Sequence, residues 1–285
     1  MTGAAAARTA AKLAGLERLA GERPEYREIL SVFREIYGFV AGKEGATGIA
    51  FAIPAASRAE RAAAGLPLVA PESLRVDAGK ASAFLAGLLA VMGRVGTEGR
   101  DELTALGRAL AEGTLDLRAL FAACLSRERG VLSDAAAAIS VSPALLEFVL
   151  EVPLKTALEG VAASLDPKAF EGWAEGYCPV CGGRAGMDEL AGEEGRRYLS
   201  CSGCFFKWPY KRIKCPYCGS EDPAVLSYFA AGEGATRVGV CRACSRYIKT
   251  RDTRAGNADV PLEVEDLATL HLDLMAAKEG FERGR

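Results

Sequence analysis

The sequence predicts an α + small-β protein: an N-terminal α-helical domain, two tandem small β modules of the metal-stapled kind, and a closing C-terminal helix. Three observations predict it. Apolar residues recur at three- and four-residue intervals through much of the first 170 residues. Composition shifts sharply near Asp166 to Gly, Cys, Pro, Trp and Tyr in short pieces. Eight of the nine cysteines fall between residues 178 and 244 as four C-x-x-C pairs.

The chain has 285 residues, half of them hydrophobic and 25% charged, with a formal net charge of −2. That composition belongs to a folded chain with a sizeable core, of one large domain or two ordinary ones. The most apolar stretch, AAAAISVSPALLEFVL, is interrupted by serines, a proline and a glutamate, so no membrane span is expected. The N-terminus, MTGAAAARTAAKLAGLERLAG, lacks a sustained Leu/Val/Phe core after a basic start. No secretory signal is expected, and the protein reads as cytoplasmic.

The first helix with a clear stripe begins at Pro24, where Tyr26, Ile29, Leu30, Phe33, Ile36, Tyr37 and Val40 line one face. Pro24 suits a first-turn position and Gly42 the end. Residues 43 to 80 are broken by Gly and Pro and read as loop or short helices. From Ala81, a second stripe of Phe84, Leu85, Leu88, Leu89, Met92 and Val95 is closed by Gly96. Leu103, Leu106 and Leu110 give a third helix, and Leu117 to Leu125 a fourth. Ser142 before Pro143 is an N-cap for ALLEFVLEV, and Pro153 should kink or end that helix before LKTALEGVAASL. Residues 1–170 thus form the helical domain, with nothing catalytic in them. The lone Cys124, in LFAACL, reads as core packing.

Beyond Asp166 come β-prone runs, RRYLSC, LSYFAA and TRVGVC, each ending near a turn. The tail, residues 261–285, returns to helix with Val264, Leu267, Leu270, Leu274 and Met275 on one side. His271, the chain's one histidine, lies on or near that face and reads as a core or boundary residue.

The cysteine pairs are Cys178/Cys181, Cys201/Cys204, Cys215/Cys218 and Cys241/Cys244. Two intervening residues let one tight turn aim both sulfurs at a single ion, and a glycine after the second cysteine (Gly182, Gly219) supplies the positive φ of such a turn. Two such turns complete a tetrahedral four-sulfur site suited to zinc or iron. Structural disulfides would need an oxidising compartment. A thioredoxin-like pair uses one C-x-x-C, and ferredoxin clusters draw on cysteines packed more closely in sequence.

Four pairs group into two sites in three ways. Sequential grouping closes intervals of 19 residues (182 to 200) and 22 residues (219 to 240), each enough for a hairpin. It also makes the modules alike, each opening with C-P-x-C-G and closing with a plain C-x-x-C after a β-prone run. The favoured reading is therefore Cys178, Cys181, Cys201 and Cys204 in a module spanning 171–212, and Cys215, Cys218, Cys241 and Cys244 in one spanning 213–260.

From Gly195 to Ser220 there are six basic residues and no acid. Four thiolates around a divalent ion leave a dianion, which some of this basic charge should screen. Arg196, Lys207, Trp208, Lys211, Arg212 and Lys214 also make a candidate partner surface, with Phe205, Phe206 and Tyr210 nearby. Single-stranded nucleic acid is disfavoured by the sequence pI near 5.8 and the small number of basic residues.

The series GYCPVCGGRAGMDEL, GRRYLSCSGCFFKW, YKRIKCPYCGSED, GVCRACSRYIKT and EDLATLHLDLMAAKEGF resembles, in order and spacing, the formate dehydrogenase accessory protein family (FdhE) over roughly residues 145 to 282. The resemblance implies a cytoplasmic accessory protein, not an enzyme, with two rubredoxin-like or zinc-ribbon modules and two mononuclear metal ions, iron or zinc, on the eight paired cysteines. It also implies a partner, the catalytic subunit of formate dehydrogenase. The alternatives from other classes are an iron-bearing redox module and a nucleic-acid-binding ribbon.

Overall fold

The computed structural model describes residues 2–43, 45–53, 57–95, 99–229, 234–256 and 258–284. These form two compact units, residues 1–54 with 69–161 and residues 55–68 with 162–285.

The first unit is helical. It holds α1 (Thr2–Glu22), α2 (Arg27–Val40), α4 (Ala78–Val95), α5 (Arg100–Glu112), α6 (Leu117–Ser126), α7 (Arg129–Ala138) and most of α8 (Pro143–Ala163), with α3 (Ser57–Ala63) assigned to the second unit. The expected stripes form its core. Leu30 and Ile36 of α2 are buried, as are Phe84, Leu85, Leu88, Leu89 and Met92 of α4 and Leu103, Leu106 and Leu110 of α5. The α2 stripe is narrower than its periodicity suggests, because Ile29 lies at its edge and is exposed. Pro24 opens a 3-10 turn, Pro24–Tyr26, rather than the α-helix itself, and Gly42 follows the helix with φ of 72°. Gly96, expected to close α4, lies outside the described residues.

Three features of this unit add to the sequence reading or correct part of it. The alanine-rich N-terminus is a 21-residue helix whose Leu16 and Leu19 are buried and whose buried Lys12 pairs with Glu159 at 2.9 Å. Two strands, β1 (Ile49–Phe51) and β2 (Leu74–Val76), pair antiparallel inside the stretch read as loop or short helix. Pairing of three-residue strands more than twenty residues apart leaves no local periodicity to detect. Pro153 does not end its helix, since α8 runs through it. The lost backbone hydrogen bond is offset by burial of Leu146, Val149, Leu150 and Leu154 along the same helix.

The Ser142 cap forms, Leu145 N–H donating to its Oγ at 3.4 Å, and Glu102 holds the cap by accepting from Ser142 N and Oγ at 2.9 and 2.8 Å. α4 is long and apolar enough to cross a membrane by length and composition, yet its apolar side packs on α2, α5 and α6. Cys124 is half-buried, and burial first, then Glu151 and Glu147, pushes its thiol up to about 12, which leaves a neutral packing group.

The second unit is built on one sheet. Its strands are β3 (Ala185–Ala191), β4 (Arg196–Cys201), β5 (Lys207–Pro209), β6 (Leu226–Phe229), β7 (Thr236–Cys241) and β8 (Arg246–Asp252), in the order β5-β4-β3-β8-β7-β6. Neighbours within each half are antiparallel, whereas the junction, β3 on β8, is parallel with Met187 opposite Lys249 and Leu190 opposite Asp252. The chain thus makes two three-stranded modules lying edge to edge. Two helices follow, α9 (Leu262–Ala268) and α10 (Leu270–Lys278), and then β9 (Glu282–Arg283), which extends the same edge of β8.

One face of the second module is covered by α10, where Val238, Val240 and Tyr247 pack with Leu272 and Ala276. The tail departs from its single expected stripe. The chain breaks at Thr269 (φ −119°, ψ 28°), so the apolar phase resets: Val264 and Leu267 are buried, but in α10 Leu272 and Ala276 take the inner face and Leu274 is 67% exposed. His271 is half-buried at the boundary.

Candidate metal centre

Each C-x-x-C pair is a tight turn closing the end of a ladder. Four registers repeat, with the first cysteine of each pair facing the residue five positions on. Cys178, Cys201 and Cys215 donate their N–H to the carbonyls of Gly183, Phe206 and Ser220, and Cys241 pairs with Arg246. The residue after the second cysteine is left-handed in all four: Gly182 (φ 68°), Phe205 (56°), Gly219 (74°) and Ser245 (53°). Backbone amides inside the turns point at sulfur. Val180 N–H donates to Cys178 Sγ at 3.3 Å, Gly203 N–H to Cys201 Sγ at 3.3 Å and Tyr217 N–H to Cys215 Sγ at 3.4 Å.

The fold brings Cys178, Cys181, Cys201 and Cys204 together, and separately Cys215, Cys218, Cys241 and Cys244, all sulfurs of a group lying within 4.8 Å of one another. Sulfur separations of 3.5 Å (Cys178–Cys204), 3.4 Å (Cys181–Cys201), 3.8 Å (Cys215–Cys244) and 3.6 Å (Cys218–Cys241) approach the roughly 3.8 Å edge of a tetrahedron with metal–sulfur bonds of about 2.3 Å. Two groups of this donor set and size could hold two metal ions.

The groups differ in exposure. All four cysteines of the first are buried, while in the second Cys218 is exposed and Cys244 half-buried. Burial pushes the Cys178 and Cys204 thiols well above their ordinary range, and Cys201, buried as it is, is held well below by hydrogen bonds from the other three. A cation bound among four such sulfurs favours their thiolate form.

The first group also has an outer wrapping from far back in the chain. Within residues 55–68, Leu68 N–H donates to Pro179 O at 2.9 Å, and the Gly65 carbonyl accepts from Tyr177 Oη at 2.7 Å. Trp173 stacks edge-on to Tyr177 and donates its indole N–H to the Tyr177 carbonyl. Nothing in the loop-like sequence of 55–68 announces this role.

The basic run is placed differently from its expected use as one surface. Arg196 pairs with Glu194, Lys207 with Glu189 at 2.6 Å and Lys211 with Glu221 at 2.5 Å, so flanking acids compensate much of it. Trp208 cannot contact a partner, because it is fully buried and donates its indole N–H to Glu175 O. Phe206 is likewise core, edge-on to Phe170, and Tyr210 is buried, its hydroxyl donating to Cys215 O. Arg212 forms no ion pair among the described residues, and Lys214 acts on Glu221 only at longer range, beside the Lys211 pair. Arg197, the remaining basic residue of the run, organises the connector. It pairs with buried Asp188 and donates to the carbonyls of Lys211, Arg212 and Lys214 at 3.3, 3.4 and 2.7 Å.

Comparison with known proteins bears on this unit. Residues 177–212 match the family model "FdhE, central domain" and residues 213–285 match "FdhE, C-terminal domain". Over these residues the chain resembles FdhE. Among curated FdhE proteins, the Aquifex aeolicus homologue is 38% identical over 115 residues, 39% of this chain and 40% of that one. The Pseudomonas aeruginosa homologue is 37% identical over 116 residues, and FdhE of Salmonella choleraesuis is 34% identical over 128. The alignments span about two fifths of these FdhE relatives' length. The crystal structure of the Pseudomonas aeruginosa FdhE protein matches with a TM-score of 0.72 at 24% identity, over 96% of this chain and 93% of that one, which extends the FdhE fold to the helical unit. The two four-cysteine groups both lie inside the FdhE-matched residues, and the two family models meet at 212/213, in the connector pinned by Arg197.

Proposed function

We propose that the chain is a cytoplasmic, non-enzymatic accessory protein that holds two mononuclear metal ions on its eight paired cysteines and supports formate dehydrogenase by binding its catalytic subunit. The observation that carries this reading is the pair of four-thiol groups of metal-binding size, built into the sheet of a unit that resembles FdhE. The ions would hold the turns closed and so give shape to a docking surface. The partner-facing residues would come from the exposed basic side chains Arg196, Lys211 and Arg212, with Lys207 and Lys214 at its edge and Trp208 beneath it. The protein purified with its metal should contain about two ions per chain, and co-purification with a formate dehydrogenase catalytic subunit should be lost with Cys201→Ser. A well-folded protein with no metal, or a wild type that holds no subunit, would count against the proposal.

The exposure of Cys218 favours a second reading, in which the second site carries iron and exchanges electrons with the partner. Anaerobic purification with metal analysis and visible absorption decides it, because zinc is colourless and redox-silent. Nucleic-acid binding is less well supported, since Arg196, Lys207 and Lys211 already face carboxylates.

A further inference from the structure

The second module has α10 on one face, and among the described residues of its own unit no helix packs on the other. Strand registers identify the bare face: Tyr228 opposite Gly239 opposite Ile248, Leu226 opposite Cys241 opposite Arg246, and Arg237 opposite Thr250 all point to it. The connector, residues 212 to 217, forms one wall, and β6, the last strand of the sheet, forms the other. Between them lies a cavity of about 310 Å³.

Its chemistry is uneven. Gly239 and Ile248 are among the residues of its floor, and the rim carries two of the largest exposed apolar side chains of the described residues, Ile213 at 52% and Tyr228 at 66%. Five basic residues line it and no acid does. Arg197 and Arg237 are paired with Asp188 and Asp252. Arg212 and Arg246 form no ion pair among the described residues, and Lys214 shares with Lys211 only the more distant attraction of Glu221. Gly239 leaves the floor open, since a Cβ there would rest at ordinary contact distance, 3.5 Å, from Thr250 Oγ1, and a longer side chain would rise into the cavity.

We infer that this cleft receives an acidic, apolar segment of a partner protein. A large apolar side chain of that segment sits over Gly239 and Ile248 between Ile213 and Tyr228, and its flanking carboxylates meet Arg212, Lys214 and Arg246. The charge complementarity selects an acidic segment, because an uncharged or basic one would leave Arg212 and Arg246 partly desolvated and uncompensated and Lys214 only partly compensated. Cys215 and Cys241 line the same cleft, so the occupant also shields the second four-cysteine group. The inference rests on the proposed accessory role only in taking the partner to be a protein.

The full-length, metal-loaded protein is titrated against a fluorescein-labelled peptide with one phenylalanine and one leucine flanked by glutamates. A lysine-flanked peptide and a single-stranded oligonucleotide are run beside it. Saturable binding of the acidic peptide alone is expected, weakened about tenfold or more by the exposed pair Arg212→Glu with Ile213→Asp and by Gly239→Leu. Bound peptide should also slow the reaction of a thiol reagent with the second group. Each variant is checked for two metals and unchanged circular dichroism, and the connector pair keeps the test valid if Gly239→Leu does not fold. No acidic-peptide binding, binding indifferent to both variants, or preference for the oligonucleotide would overturn the inference. If both variants hold a formate dehydrogenase catalytic subunit as well as the wild type does, the cleft is not its seat and the accessory role stands. If the peptide binds and no subunit does, the accessory role fails and the cleft stands.

Discussion

Gly219 and Gly182 occupy the same place in the two modules, yet the cost of a methyl group at each should differ. Both are left-handed, but a Cβ on Gly219 meets nothing within 4 Å, whereas one on Gly182 lies 3.1 Å from Pro67 Cγ. Gly219→Ala should therefore cost about 1 kcal/mol from backbone conformation alone, and Gly182→Ala more, measured by urea unfolding of the metal-loaded protein. Acid stability has a residue-level source as well. The Arg254 hydrogen bond holds the Asp252 carboxyl down to about 2, below its ordinary 3.8. A depressed carboxylate stabilises the fold above its unfolded pKa and ceases to do so as pH falls through the folded one. Asp252→Asn should accordingly flatten the loss of stability between about pH 4 and pH 2, read from unfolding midpoints across that range. At this scale the eight cysteines and the two glycines were legible, because their chemistry is tied to residue type. Phe205 and Ser245 were not, since a left-handed turn is announced in sequence only when glycine fills it.

Between elements, the modules meet along the parallel β3–β8 contact, and charges cluster on either side of it. Lys249, fully buried, pairs with Asp266 and Asp273 at 2.7 Å each, and Arg251 pairs with Glu189 across the junction. Although burial raises it, Asp266 is held below its ordinary range by Lys249 and Arg283. Removing the cation leaves two carboxylates short of compensation, so Lys249→Met should destabilise the protein by about 3 kcal/mol or more in urea unfolding. This junction was hidden in the sequence. The run RYIKTRD is half ionisable and is not singled out as a strand, and its charges become interior only because α9, α10 and β3 close around β8. Helices with apolar stripes were legible from periodicity. The passage of α8 through Pro153, the break at Thr269 and the β1–β2 pair depend on packing between segments distant in sequence, which no local pattern carries.

Over the whole molecule, the two four-cysteine groups should respond unequally to a chelator. The first is sealed by its own buried turns and by residues 55–68, and the second opens at Cys218. Metal should leave the second group first, followed with a chromogenic chelator, and Cys218→Ser should halve the metal content while Cys178, Cys181, Cys201 and Cys204 keep their ion. Full removal should collapse the second unit, whose small modules have little core without it, while the helical far-UV signal of the first unit persists. The sheet order carries a further consequence. The first strand of one module lies against the third strand of the next in the same direction, so the contact repeats like a stair and is not self-complementary. A stair has no natural last step, and each additional module would find the same ledge to join. The outermost treads are β5 and β6, three and four residues long, and edges so short offer a neighbouring strand little to pair with.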